Sequence, residues 1–132
     1  MHIRSLLAKM KPIVLPVLIC GIVVVLFRVV FLLGYVPTTS MEPTIPAGSI
    51  IIGYRLYTEL ETGDVIIFSC ANGRTLVKRI AAGPLELAPN GETVPENCYY
   101  LLGDNPESSI DSRYWDEPYI HQSQVVAVVL FP

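Results

Sequence analysis

From Ile13 to Leu33 the chain is apolar apart from Arg28, with Pro16 and Gly21 the only other interruptions. As a helix rising about 1.5 Å per residue, that stretch spans roughly 30 Å, the thickness of a bilayer core. A cleavable secretory signal has a shorter apolar core, roughly 7–15 residues, followed by a small-residue cleavage site. Here the run is longer, and it leads into Gly34-Tyr35-Val36-Pro37 with no Ala-x-Ala. The same length disfavours a buried core helix. Arg28 lies near the C-terminal end, where a long basic side chain can reach the headgroups. The expectation is a basic tail over residues 1–12, a single transmembrane anchor over residues 13–34 and an exported domain over residues 35–132.

Charge sets the expected orientation. Arg4, Lys9 and Lys11 precede the span and no acidic residue does, which keeps the N-terminus cytoplasmic. Every acidic residue, from Glu42 to Glu117, lies beyond the span, against Arg55, Arg74, Lys78, Arg79 and Arg113. An acidic outer part argues against nucleic acid as a partner, and a cytoplasmic N-terminus would place the domain on the periplasmic or extracellular side of the cell membrane. Cys20 falls inside the span as a small apolar residue. Cys70 and Cys98 fall in the exported part, where spacing alone leaves a disulfide and two free thiols equally open. No Cys-x-x-Cys or His-rich cluster is present, so neither a metal nor another cofactor is expected.

Beyond the span the pattern changes to short apolar runs separated by turn residues: Ser49–Tyr54, Asp64–Cys70, Arg74–Ile80, Tyr99–Leu102 and Val125–Phe131. Runs of this length predict a mainly β domain, compact, antiparallel and built of bent sheets. Gly53 reads as a bulge. Residues 83–96 read as a loop with at most a short strand at Leu85–Leu87. Asn72-Gly73 predicts a two-residue hairpin turn between Val65–Ala71 and Arg74–Ile80. In that register Leu76, Lys78 and Ile80 share one face, so a lysine stands in an apolar row. Taken alone, it reads as an edge-strand lysine with its head in water.

Ser40 changes the weight of that lysine. A serine becomes a nucleophile when a base and an oxyanion hole flank it. Neither histidine is suited: His2 lies before the span, and His121 sits in a polar stretch. A buried lysine is the remaining base. The segment Thr38-Thr39-Ser40-Met41-Glu42-Pro43-Thr44-Ile45 resembles the nucleophile box of bacterial type I signal peptidases. Thr62-Gly63-Asp64-Val65-Ile66-Ile67-Phe68 resembles the Gly-Asp strand box of that family, and Leu76-Val77-Lys78-Arg79-Ile80 its lysine box. The run from Gly103-Asp104-Asn105 through Ser109, Asp111 and Arg113 resembles its last box.

The resemblance implies a serine/lysine endopeptidase that cuts signal peptides from exported preproteins. It implies Ser40 as nucleophile, Lys78 as general base, and Ser109 as the hydroxyl that orients the amine. Thr38 would complete an oxyanion hole with the Ser40 N–H. Asp111 and Arg113 would form a structural ion pair beside the site, in a loop held by the Gly103-Asp104-Asn105 turn. Val36, Met41, Ile45 and Leu76 would line the pocket for the small residue before the cut. The substrate would be an extended segment ending in the Ala-x-Ala style, paired with an exposed strand edge, with two shallow pockets selecting it.

Physical chemistry bears on these roles independently. An ordinary lysine amine, with a pKa of about 10.4, is charged at neutral pH and cannot act as a base. Lowering it by roughly three pH units costs about 4 kcal/mol, and an apolar row such as Leu76 and Ile80 is the environment that does so. The chain departs from the family after Ile80, where it reads Ala81-Ala82-Gly83-Pro84, and at Pro106. The short connection from there to Gly103 lacks room for the extra β domain of larger members. Three other readings stay open from sequence: a specialised maturation peptidase for one exported or conjugative-transfer protein, a self-cleaving repressor-type protease, and a catalytically silent peptide-binding module.

Overall fold

The computed structural model describes residues 2–131, with side chains from Pro12 onward. The side chains of Arg4, Lys9 and Lys11, on which the expected orientation rests, lie outside the described residues. The chain divides into two units, one ending at Val30 and the other beginning at Phe31. The first is a single helix, α1 (His2–Val30). Its Pro12–Val30 part, 19 residues, is long and apolar enough to cross a membrane by length and composition. Arg28 stands in the last turn, where a cation complements the carbonyl end of the helix.

The apolar run does not stay helical to its end. Phe31–Val36 forms strand β1, and every residue of it pairs with β2 (Ser49–Tyr54), from Phe31 opposite Tyr54 to Val36 opposite Ser49. Hydropathy is blind to this change. What ends the helix is a partner strand, which gives the backbone of residues 31–36 a second way to satisfy its hydrogen bonds.

The second unit is mainly β, as the sequence pattern predicts. Five further strands follow: β3 (Val65–Ser69), β4 (Thr75–Ala82), β5 (Cys98–Leu102), β6 (Tyr119–His121) and β7 (Val125–Val129). They form one seven-stranded antiparallel sheet in the order β1-β2-β7-β3-β4-β5-β6. β3 is buried on both faces. Val65 and Ile67 enter one apolar cluster with Val36, Met41, Ile45, Ile51 and Ala127. Ile66 and Phe68 enter a second with Ile80, Tyr99, Leu101 and Ile120. Alternation along a strand explains the division, and the same rule sends Val77 to the first cluster and Leu76 to the second.

Two local expectations are corrected. The β3–β4 hairpin closes through a three-residue loop, Ala71-Asn72-Gly73. Cys70 N–H donates to the Arg74 carbonyl at 2.8 Å and Gly73 N–H to the Cys70 carbonyl at 2.9 Å. Gly73, at φ 78°, supplies the left-handed residue that such a loop needs. Gly53 marks no bulge. It pairs regularly with Leu32 and Val129, and a Cβ there would come within 2.8 Å of both Ala127 and Ile67. Its role is close packing. The register shifts lie instead at Ile67/Phe68 and Ile80/Ala82. In the 83–97 connection, Leu87 makes a single bridge to Thr93, and Ala88 and Val94 tuck against Ala82 and Tyr100.

Candidate active site

Ser40 sits in the tight turn that follows β1. Ile45 N–H donates to the Met41 carbonyl at 2.8 Å and Glu42 N–H to the Thr39 carbonyl at 3.1 Å, which coils the chain just past the serine. Met41 and Ile45 anchor that coil in the first cluster and present Ser40 on its other side. Lys78 comes from the middle of β4, only 4% exposed. Its Nζ lies 2.7 Å from Ser40 Oγ, a buried hydrogen bond between residues 38 apart in sequence. Burial lowers the Lys78 pKa, against the opposing pull of Asp111, Cys70 and Asp104. A charged amine donates to the serine; a neutral one offers a lone pair that can take the serine's proton.

The last box wraps the pair. Asn105 N–H donates to the Ser40 carbonyl at 3.0 Å, and its side-chain amide donates to the Thr39 carbonyl at 3.1 Å. Asp104 receives both Arg79 Nε, at 2.8 Å, and a second Arg79 nitrogen, at 2.6 Å, while Arg79 also donates to the Gly63 carbonyl. The Gly-Asp strand box, the lysine box and the last box are thereby joined through one guanidinium.

Asp111 is fully buried. Burial by itself would raise its carboxyl. Hydrogen bonds from Arg113, the Gly103 N–H and the Ser109 hydroxyl outweigh that and hold it at about 2. Arg113 Nε donates to it at 2.8 Å, Gly103 N at 2.9 Å and Ser109 Oγ at 2.6 Å. The expected Asp111–Arg113 ion pair is therefore present. The Ser109 hydroxyl hydrogen goes to Asp111, and among the described residues Lys78 makes no hydrogen bond to Ser109. Its lone pairs remain as acceptors. Thr38 Oγ1 stands 3.4 Å from Ser40 Oγ, and among the described residues the Ser40 N–H donates to no protein acceptor.

An open cleft of about 710 Å³ contains Thr38, Ser40, Lys78 and Leu76 in its lining. The other three predicted pocket residues are placed differently. Val36, Met41 and Ile45 are buried in the first cluster, beneath the Ser40 turn and outside this cleft. The cleft instead takes Ile110, Trp115 and Ile120 as walls, and none of these was singled out from sequence. Trp115 was the one available signal, a lone tryptophan close behind the last box. Cys70 and Cys98 are free thiols in different clusters, which closes the disulfide question for this structure. Cys70 lines the cleft, and burial pushes its thiol up despite nearby Lys78 and Arg74.

A mainly β domain holding a serine hydroxyl against a buried amine, at the end of an open cleft, is the layout of a hydrolytic enzyme, and the class is peptidase. Residues 9–86 and 83–132 match the family described as signal peptidase, peptidase S26, and the chain belongs to that family. A probable signal peptidase I-2 of Synechocystis sp. (strain ATCC 27184 / PCC 6803 / Kazusa) is 26% identical over 118 residues, covering 61% of this chain and 54% of that protein. A signal peptidase I of Pseudomonas fluorescens is 52% identical over 33 residues, covering 24% of this chain and 12% of that protein. The chain thus spans about half the length of the Synechocystis relative.

Proposed function

We propose that this chain is a membrane-anchored serine endopeptidase that removes N-terminal signal peptides from exported preproteins, with Ser40 as nucleophile and Lys78 as general base. The observation that carries the reading is the 2.7 Å contact between Lys78 Nζ and Ser40 Oγ, made by a lysine that is buried. The neutral amine takes the Ser40 proton as Oγ attacks the scissile carbonyl. The oxyanion that forms is met by the free Ser40 N–H and the Thr38 hydroxyl, a donor typically worth ~3–4 kcal/mol. The ammonium returns its proton to the leaving amine, and an acyl-enzyme remains. The same amine then takes a proton from water, whose attack releases the signal peptide and regenerates Ser40.

Ser109 serves as the positioning acceptor for the amine. Its hydrogen is committed to Asp111, so its oxygen turns only lone pairs toward other donors. Val36, Met41 and Ile45 pack with Val77 in the first cluster, on the face of β4 opposite Leu76, and this closely packed side of the nucleophile turn leaves room for only a small side chain before the cut.

β4 supports the strand-edge binding mode. It pairs with β3 along Thr75–Arg79, but with β5 only from Arg79 onward. Among the described residues Thr75–Lys78 therefore has a side with no partner strand, next to Ser40, and an extended peptide laid there gains main-chain hydrogen bonds. The helix over Pro12–Val30 holds the enzyme in the bilayer that also holds its substrate.

The test is cleavage of a model preprotein in detergent by the full chain and by Ser40→Ala. The wild type is expected to yield mature protein and Ser40→Ala none above background. Equal cleavage by both proteins overturns the proposal.

A further inference from the structure

The cleft beside the dyad is far larger than a site for two small side chains requires. At about 710 Å³ it falls in the range of sites that enclose a whole ligand, roughly 300–1,000 Å³. Leu76 and Lys78 line it as alternate residues of β4, with Arg74 just before the strand. Across from them stand Ile110, Trp115 and Ile120. Trp115 is braced edge-on against Phe68, with ring centroids 6.0 Å apart, so this wall is a fixed surface.

Strand geometry divides any peptide on the β4 edge between two sides. Val77 faces the cluster of Val36, Met41 and Ile45, whereas Leu76 faces the cleft. A bound extended peptide alternates in the same way, with successive side chains on opposite faces. If the two small residues of an Ala-x-Ala segment face Val36 and Val77, the residue between them faces Leu76 and Trp115. This step rests on the signal-peptide reading given above.

We infer that the cleft is a specificity site for the residue between the two small ones, and that it selects a large apolar side chain there. Occupancy by substrate follows from continuity, since Ser40 and Lys78 line the same cavity as Trp115. An apolar side chain on Leu76, Ile110 and Trp115 removes surface from water that alanine leaves wet. Asp116 and Glu117 on the rim disfavour an acidic residue at the same position.

The experiment compares peptides identical except at x, carrying Ala, Leu, Phe or Asp, cut by the full chain in detergent. The Leu and Phe peptides are expected to exceed the Ala peptide in kcat/KM by about tenfold or more, the scale on which apolar pockets discriminate. Trp115→Ala and Ile110→Ala are expected to bring that ratio toward one. Ile110 is 73% exposed, so its truncation leaves the core intact even where loss of Trp115 unsettles the fold. Equal cleavage of all four peptides by the wild type overturns this inference and leaves the peptidase reading standing. A preference that persists undiminished in both variants overturns the assignment to this cleft. Failure of the wild type to cut any of them overturns both readings.

Discussion

Gly103 and Ser109 approach so closely that no side chain fits between them. A Cβ at Gly103 would come within 2.5 Å of the Ser109 Cβ and 2.6 Å of the Ser40 carbonyl oxygen. One small residue thus brings the last box and the nucleophile turn together. Gly103→Ala is expected to force them apart, with overpacking of about 1–3 kcal/mol. A displacement near 1 Å at a reacting group lowers turnover roughly 100-fold. Thermal melting and kcat measured on the same preparation check both parts. Normal turnover in Gly103→Ala would mean that this contact does not set the geometry of the site.

Lys78 governs the expected pH dependence. Burial lowers its pKa, and only the neutral amine accepts a proton. Activity is therefore expected to rise with pH along a single ionisation below the ordinary lysine value of about 10.4. Lys78→Arg keeps a positive charge that cannot be shed in this range, and is expected to be folded and inactive. Rates from neutral to alkaline pH, with circular dichroism for folding, decide the matter. Near-normal turnover by Lys78→Arg would reduce Lys78 to a fixed charge.

Asp111 is expected to govern stability in acid. Its folded pKa, about 2, lies below the ordinary 3.8. The depressed value means that the stabilisation is fully present above the unfolded pKa and is lost as pH falls from there through about 2. Asp111→Asn is expected to flatten the fall of Tm over this window. Asp111→Ala, which leaves Arg113, the Gly103 N–H and Ser109 without their acceptor, is expected to destabilise by about 3–5 kcal/mol. Denaturant unfolding at neutral pH measures the second effect. An unchanged acid limb in Asp111→Asn would assign the acid sensitivity to other groups.

The expected topology rests on Arg4, Lys9 and Lys11, which precede the apolar span. Protease added outside spheroplasts is expected to degrade the chain beyond Tyr35 and to spare the N-terminal tail. Digestion from the cytoplasmic face alone would reverse the orientation.

Where physics is local, the sequence was readable. Ser49–Tyr54 appears as a strand with the limits its apolar run suggested, and the Asn72-Gly73 signal does lie in the β3–β4 hairpin. Phe31–Val36 was not legible as a strand, because its residues are as apolar as the span before them and only β2 distinguishes the two. β6 is three residues long in a polar stretch and carries too little pattern to announce itself. At the site, the motifs anticipated Ser40 beside Lys78 and the Asp111–Arg113 pair. They did not reveal that Ser109 gives its hydrogen to Asp111, since that choice depends on which acceptor the folded loop presents. Nor did they reveal the cleft, whose walls come from β4 and from a segment some forty residues later, brought together only by the sheet.

β2 joins β7 through two residue pairs, Gly53 with Val129 and Tyr54 with Val128, continued by a hydrogen bond from the Leu130 N–H to the Ile52 carbonyl at 3.0 Å. The serine rides on the β1–β2 side of that seam and the lysine on the β3–β4 side. Slippage of about 1 Å there would part the proton donor from its acceptor while both halves kept their secondary structure. Heat is expected to silence this protein some degrees before it melts, and cooling to restore it.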